Sequence, residues 1–184
     1  MKQAHESDER LMQRVADGKR EPLSILMRRY ANPLLTFIHR MTGDHHRSEE
    51  LFQDVFLALW AGRRKYDYPR SFRAWLFGIA VNKCRADYRQ RNEPLISLDN
   101  SNESVSVMSG TSPIEGAIAS ETVVLVENAI TRLPPQQRTV VVLRIWNSFS
   151  YADIAHVLES TESTVRSNMF HGLESIRKYL EPRM

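Results

Sequence analysis

Phe149-Ser-Tyr-Ala-Asp-Ile-Ala-His-Val-Leu158, then Glu159-Ser-Thr-Glu-Ser163, then Thr164-Val-Arg-Ser-Asn-Met-Phe-His-Gly-Leu-Glu-Ser-Ile-Arg-Lys-Tyr-Leu180: this stretch decides the fold. A short helix with an apolar face, a polar turn and a longer basic helix make a helix-turn-helix, the unit that lays its second helix in the major groove of DNA. Ser150 and Asp153 have the spacing of a capping box for the first helix. Ile154 and Leu158 are expected in the core, and Ala155 is small where the second helix crosses. Thr161 or Ser163 caps that second helix. Val165, Met169 and Leu173, four apart, are expected to form its buried seam. The other face then carries Thr164, Arg166, Ser167, Phe170 and His171. Arginine reads guanine edges or holds phosphate, serine does either, and an exposed aromatic ring touches a thymine methyl. The competing reading is a plain helical hairpin, with Phe170 in the core and Arg166 a surface charge.

Working outward, the rest of the chain also reads as helix. Ser7 to Asp17 is a first helix stopped by Gly18. Pro22 opens a second, which runs to Met41 with Leu23, Leu26, Met27, Tyr30 and Leu34 at helical spacing. Pro33 is expected to kink or split it, and Gly43 ends it. Ser48 is placed as the cap of a third helix with a broad stripe of Leu51, Phe52, Val55, Phe56 and Leu59. A fourth runs from about Ser71 to Arg91, with Phe72, Trp75, Leu76, Ile79, Ala80 and Val81 on its apolar side. Pro94 to Pro113 holds six serines and little periodicity, and reads as a linker. Helices resume near Glu115. The β-branched runs at 122–126 and 139–143 are assigned to helices, the second because Leu133-Pro-Pro-Gln-Gln137 is a helix-start signature. The fold class is therefore all-α, with two small helical domains on a flexible tether: 8–92, a linker at 93–115, and 116–181.

Net charge is only +3, but it is unevenly placed. Arg63 to Arg91 holds nine Lys/Arg against Asp67 and Asp87, whereas Asn92 to Thr131 has no Lys or Arg and six acids. Such blocks point to two partners, one of them nucleic acid. No run approaches the roughly 20 apolar residues of a membrane span, and no signal region stands at the start, so a cytoplasmic protein without membrane insertion is expected. The single cysteine, Cys84, cannot pair internally and is read as a small buried hydrophobe. No glycine-rich phosphate loop and no Cys/His metal spacing is present. His45 and His46 read as turn or cap residues. No metal, no cofactor and no catalytic activity are expected.

Two further segments complete the pattern. One is Arg47-Ser-Glu-Glu-Leu-Phe-Gln-Asp-Val-Phe-Leu-Ala-Leu-Trp60, followed by Arg63-Arg-Lys-Tyr-Asp67. The other is Ser71-Phe-Arg-Ala-Trp-Leu-Phe-Gly-Ile-Ala-Val-Asn-Lys83, followed by Asp87-Tyr-Arg-Gln-Arg91. Together with Leu133-Pro-Pro-Gln-Gln-Arg138 and the C-terminal motif, they resemble the extracytoplasmic-function (group IV) bacterial sigma factors over about residues 8–92 and 117–181. The resemblance implies an N-terminal part that binds the β′ clamp helices of core RNA polymerase and reads the melted −10 element. It implies a C-terminal part that binds the −35 duplex and touches the β flap, a linker threaded through polymerase, and control by an anti-sigma factor. Glu49, Glu50, Gln53 and Asp54 then fall on the polymerase-binding segment. Arg63, Lys65, Tyr66 and Arg70, with Tyr68, suit an unpaired base and its backbone, since single strands are held by cations and aromatic faces. Asn82 matches the position whose amide reads a flipped −10 base. Lys83, Arg85, Arg89 and Arg91 are placed along a phosphate track, and Trp75 in the core. The chain departs from the family in two places. The turn 159–163 lacks a common glycine, and Asn168 and His171 stand where arginines are frequent.

Two other classes remain open at this point. A free-standing helix-turn-helix regulator would bind duplex operators without polymerase. A helical adaptor would use its acidic surfaces to bind protein only.

Overall fold

The computed structural model describes residues 6–92 and 117–183, so the expected linker lies outside the described residues. The described residues are helical throughout, with no strand among them. Helix α1 spans Asp8–Ala16. The Ser7 side chain accepts from the Arg10 N–H at its start, and Asp8 and Glu9 sit in the first turn, where the helix dipole favours acids. Helix α2, Glu21–Thr42, runs unbroken through Pro33, so the expected split does not occur. Gly43 closes it in the left-handed region (φ 71°) and donates to His39 O at 2.8 Å, a geometry that glycine adopts without a steric penalty.

Helix α3, His45–Gly62, starts earlier than the Ser48 assignment requires. The Asp44 side chain is the cap and accepts from the Arg47 N–H at 3.0 Å. Ser48 is buried inside the first turn, where its hydroxyl donates to the Asp44 carbonyl. A 3-10 turn at Arg63–Lys65 leads to α4, Phe72–Asn92. The second group consists of α5 (Ala117–Thr131), α6 (Pro135–Ile145), α7 (Tyr151–Val157) and α8 (Glu162–Leu180).

In the first group Leu11, Val15, Leu26, Phe37, Ile38, Val55, Leu59, Phe72, Leu76 and Phe77 are fully buried, each such side chain worth about 1.5–3 kcal/mol relative to exposure. In the second, α6 is central. Thr139 and Val140 to Leu143 are all buried, because α2, α7 and α8 surround the helix. Five consecutive buried residues leave no single solvent face in the middle of α6, although Gln136 and Arg144 near its ends are exposed, and this central packing is why a β-branched run is helical here.

The seam of α8 differs from the sequence reading. Val165 and Met169 are buried, but Leu173 is 43% exposed and Gly172 takes the inward place. Steps of four residues advance about 40° around a helix of 3.6 residues per turn, so a third residue at the same step has rotated out of the seam. A Cβ on Gly172 would stand 2.8 Å from Val141 Cγ2, so glycine is what lets α8 lie this close to α6.

The two groups do not stand apart as separate heads. α2 packs on α5 and α6, and α4 packs on α7. Arg138, 8% exposed, reaches across from α6 and donates to Met41 O at the end of α2, at 2.7 Å. The sequence could not reveal this contact, because the partners are 97 residues apart.

Candidate nucleic-acid interface

The C-terminal motif is built as expected. The Ser150 Oγ accepts from the Asp153 N–H at 3.0 Å, and the Asp153 carboxylate accepts from the Ser150 N–H at 3.2 Å. Ile154 and Ala155 are buried, and Leu158 is partly buried against the core. Thr161, not Ser163, caps α8: it accepts from the Thr164 N–H at 3.2 Å, and the two threonine hydroxyls lie 2.9 Å apart. Thr164 is thus tied into the cap. Glu159 at the turn holds φ 51°, the left-handed conformation that glycine would take more easily.

On the outer face of α8, Phe170 is 66% exposed, so the core alternative for that ring does not hold. Arg166, Ser167 and His171 share this exposed side. Arg166 is held in place: Nη2 lies 3.0 Å from Glu162 Oε2, and the guanidinium sits 4.5 Å over the Tyr151 ring. Its Nη1 and Nε edge remains open. A guanidinium stacked on one face and tethered at one corner keeps the fork that pairs with a guanine edge or a phosphate. Sequence reasoning gave neither Tyr151 nor Glu162 a role; their i, i+4 and cross-helix placement beside Arg166 is the available signal. His171 lies 3.9 Å from Glu174, which also pairs with Lys178 at 2.9 Å.

The N-terminal candidate site gathers around the 63–71 segment and α4. Lys65, Arg70 and Asn82 line one cavity of about 540 Å³ together with Tyr66 and Trp75, and His156 of α7 with Glu159 and Ser160 of the turn after it also line it. Tyr66 does not stack outward. It is 8% exposed, lies 5.3 Å from the Trp75 ring and donates to the Arg70 carbonyl. Burial pushes its phenol up to about 12, so it remains a donor. Tyr68 is the exposed aromatic of this segment. The local reason is that Phe72 and Trp75 of α4 offer Tyr66 an apolar seat that Tyr68 lacks.

The basic stretch is not one continuous track. Arg63 stacks over Trp60 at 4.3 Å, and Arg73 turns toward the second group, over Phe149. Lys83 lies 3.7 Å from Asp54, joining two residues expected at different sites. Arg91 lies 3.3 Å from the buried Asp87 and 3.8 Å from Asp44, so it does not belong to a free phosphate track. Asp87 also accepts from Arg47 Nε at 2.6 Å, which ties α3 to α4. Among the described residues Arg64, Lys65, Arg70, Arg85 and Arg89 have no carboxylate within ion-pair distance, and all but the half-buried Arg85 are exposed.

The candidate polymerase-binding face lies on α3. Glu49, Glu50 and Gln53 are exposed and Asp54 is half-buried. His45 and His46, in the first turn, lie 3.4 and 3.7 Å from Glu49 and Glu50. Leu57, 67% exposed, follows Gln53 and Asp54 at helical spacing. The sequence reading passed over it because leucine in this helix was expected inside. Cys84 is buried, and burial pushes its thiol up to about 12.

Two family models match, in this order along the chain: sigma-70 region 2 over residues 26–93 and sigma-70 region 4 over residues 124–176. RNA polymerase sigma-H factor of Pseudomonas aeruginosa is 28% identical, the match covering 96% of this chain and 95% of that one. ECF RNA polymerase sigma factor SigW of Bacillus subtilis is 26% identical over 92% of this chain and 94% of its own. Among solved structures, CnrH in complex with the cytosolic domain of CnrY superposes with a TM-score of 0.75 at 22% identity, covering 97% of this chain and 100% of that one. The sigma factor RpoE in complex with the anti-sigma factor NepR, from Bartonella quintana, gives 0.71 at 21% identity, covering 88% and 98%. These two show that the fold is shared. With both region models in their places on a helical scaffold and relatives matched over nearly the whole chain, this protein belongs to the sigma-70 family, as an extracytoplasmic-function sigma factor.

Proposed function

We propose that the two helical groups divide promoter recognition between them. A sigma factor directs core RNA polymerase to promoters. Here the cavity with Lys65, Arg70 and Asn82 receives an unpaired −10 base, and Arg85 and Arg89 hold the strand. Arg63, Lys83 and Tyr66 stiffen that site from beneath. Arg166, Ser167 and Phe170 of α8 enter the major groove at −35, Thr164 holds the helix start, and His171 borders the contact. Glu49, Glu50, Gln53 and Asp54 face the β′ clamp helices, and the second group meets the β flap. The residues fall into regions 8–92 and 116–181 joined by 93–115.

The observation that supports this reading most is the cluster around one cavity: the exposed Lys65, Arg70 and Asn82, two of them cations with no carboxylate at ion-pair distance, beside the half-buried Trp75, a combination of cations, amide and aromatic ring that suits single-stranded nucleic acid. The chain contributes no catalytic group, and the polymerase performs the chemistry. It works in the cytoplasm; among the described residues no helix is long and apolar enough to cross a membrane. Regulation by an anti-sigma factor fits the similarity to a sigma factor solved with one.

The test is reconstituted transcription with purified core polymerase. This account expects specific transcripts from a subset of promoters only when the chain is added. Binding to duplex DNA without polymerase and without transcripts supports the regulator instead, and neither activity supports the adaptor.

A further inference from the structure

Among the described residues two glycines stand inside long helices, Gly78 in α4 and Gly172 in α8. Gly172 has a packing reason, since a Cβ there would stand 2.8 Å from Val141 Cγ2. Gly78 has none: a Cβ there would meet no atom within 4 Å. Its backbone does not ask for glycine either, because its φ is not positive. Glycine inside a helix destabilises it relative to alanine. What the missing side chain leaves is open space, and that space belongs to the cavity that Gly78 lines with Trp75 and Asn82. We infer that Gly78 is the floor that sets the size of the base this cavity accepts, and that the base is an unpaired purine. The inference rests on the −10 reading of the cavity proposed above and deepens it.

Position on the helix supports it first. Trp75 lies three residues before Gly78 and Asn82 four residues after it, so all three share one face of α4. Trp75 and Asn82 are then about 10 Å apart along the helix axis, with bare backbone between them, room for a two-ring base. Any side chain at position 78 would stand in that interval. The fixed ring supports it second. Trp75 is held by Tyr66 at 5.3 Å and by Phe72 at 6.5 Å between ring centroids, so it offers a base a firm edge rather than a mobile one. The charges support it third. Asp67 and Glu159 line the cavity beside Lys65 and Arg70, so two acids balance two cations. A bare anion gains no net attraction there, and a ligand has to bring an aromatic face and a hydrogen-bonding edge. The exposed Asn82 amide offers a donor and an acceptor together, the pair that matches N7 and N6 of adenine, whereas the same edge of guanine carries two acceptors. Adenine is therefore the purine that fits best.

The test uses the full chain bound to core polymerase. Promoter fragments whose −10 element is held unpaired by mismatches, with A, G, C or T at each position in turn, are titrated by fluorescence anisotropy. At one position the wild type is expected to bind adenine best and either purine better than a pyrimidine. Gly78→Ala should cut that purine preference about tenfold, and Gly78→Leu should abolish it, with pyrimidine binding at that position and affinity for core polymerase unchanged. The free Gly78→Ala chain should also melt about 2–4 °C higher, because the methyl meets nothing and the helix gains propensity. A pyrimidine preference at every position, an unaltered order in both Gly78 variants, or a lower melting temperature for Gly78→Ala would overturn the inference. If Asn82→Ala shifts the preference and the Gly78 variants do not, the −10 reading stands and the floor alone fails. If none of the three shifts it, the cavity is not a base site and both fail.

Discussion

Gly172→Ala sets two effects of known sign against each other. In the middle of α8, alanine gains about 0.8–1 kcal/mol of helix propensity over glycine. The added methyl, however, would stand 2.8 Å from Val141 Cγ2 and 3.6 Å from Gln137 Cβ. Val141 is fully buried in α6 and branched at Cβ, so one rotamer dominates and it cannot swing aside. Forcing a methyl into such a contact costs about 1–3 kcal/mol. Packing therefore outweighs propensity, with a net loss of about 1 kcal/mol and a melting temperature lower by about 2–4 °C for a chain of this size. Val141→Ala removes the obstructing methyls and leaves a cavity that the new alanine partly fills. The double variant should then be more stable than the sum of the singles predicts, by about 0.5–3 kcal/mol. Urea titration of the four proteins by circular dichroism measures the cycle. A stabilised Gly172→Ala, or a coupling of zero, would refute the claim that glycine sets the distance between α6 and α8. The same variant should weaken −35-dependent initiation, because α8 carries the face proposed to read that element.

Asn82→Ala removes the cavity amide proposed to read a −10 base and leaves α3 untouched, so preference within −10 should shift by about 1–3 kcal/mol while affinity for core polymerase stays unchanged; equal loss on all promoters in a run-off series would count against that role. Leu57→Ala takes away an exposed leucine beside Gln53 and Asp54, and should weaken core binding about 5- to 30-fold in fluorescence titration, since about two thirds of the side chain is available to be buried there. Unaltered binding would remove Leu57 from the interface. The Cys84 thiol, raised from 9.0 to about 12 by burial, stays protonated in the folded chain at neutral pH and should react with maleimide only after unfolding. Because its folded value is the higher one, its stabilising contribution is intact below about pH 9 and is lost between 9 and 12, and a Cys84→Ala chain should show a smaller loss of stability over that window.

What the sequence made legible was local. The capping box at Ser150 and Asp153, the helix start at Pro134 and Pro135 and the glycine stop at Gly43 each depend on neighbours a few residues away, and each was found. The errors share one cause: periodicity gives the type of element before it gives its rotation. Four-residue spacing puts Leu173 with Val165 and Met169, yet the seam has turned away from it by then, and Asp44 forms one turn earlier the cap that Ser48 also suits by composition. Tyr66 and Tyr68 are equivalent on composition, and only the position of Trp75 and Phe72 separates them. A local charge count treated the 63–91 stretch as uniform, whereas Asp87 draws Arg91 and Arg47 together and Asp54 reaches Lys83. Contacts between the halves, such as Asn147 with Pro33, join residues 114 apart, and no local rule anticipates them.

The central claim is that two separate helical groups read two promoter elements while docked on one polymerase. It is tested most directly by transcription with core polymerase on a promoter library randomised at both elements, with every transcript start mapped. The account predicts two blocks of sequence preference at a fixed separation upstream of the start, with Asn82→Ala altering only the nearer block and Arg166→Ala only the farther. A single block, or both variants altering the same one, would contradict it.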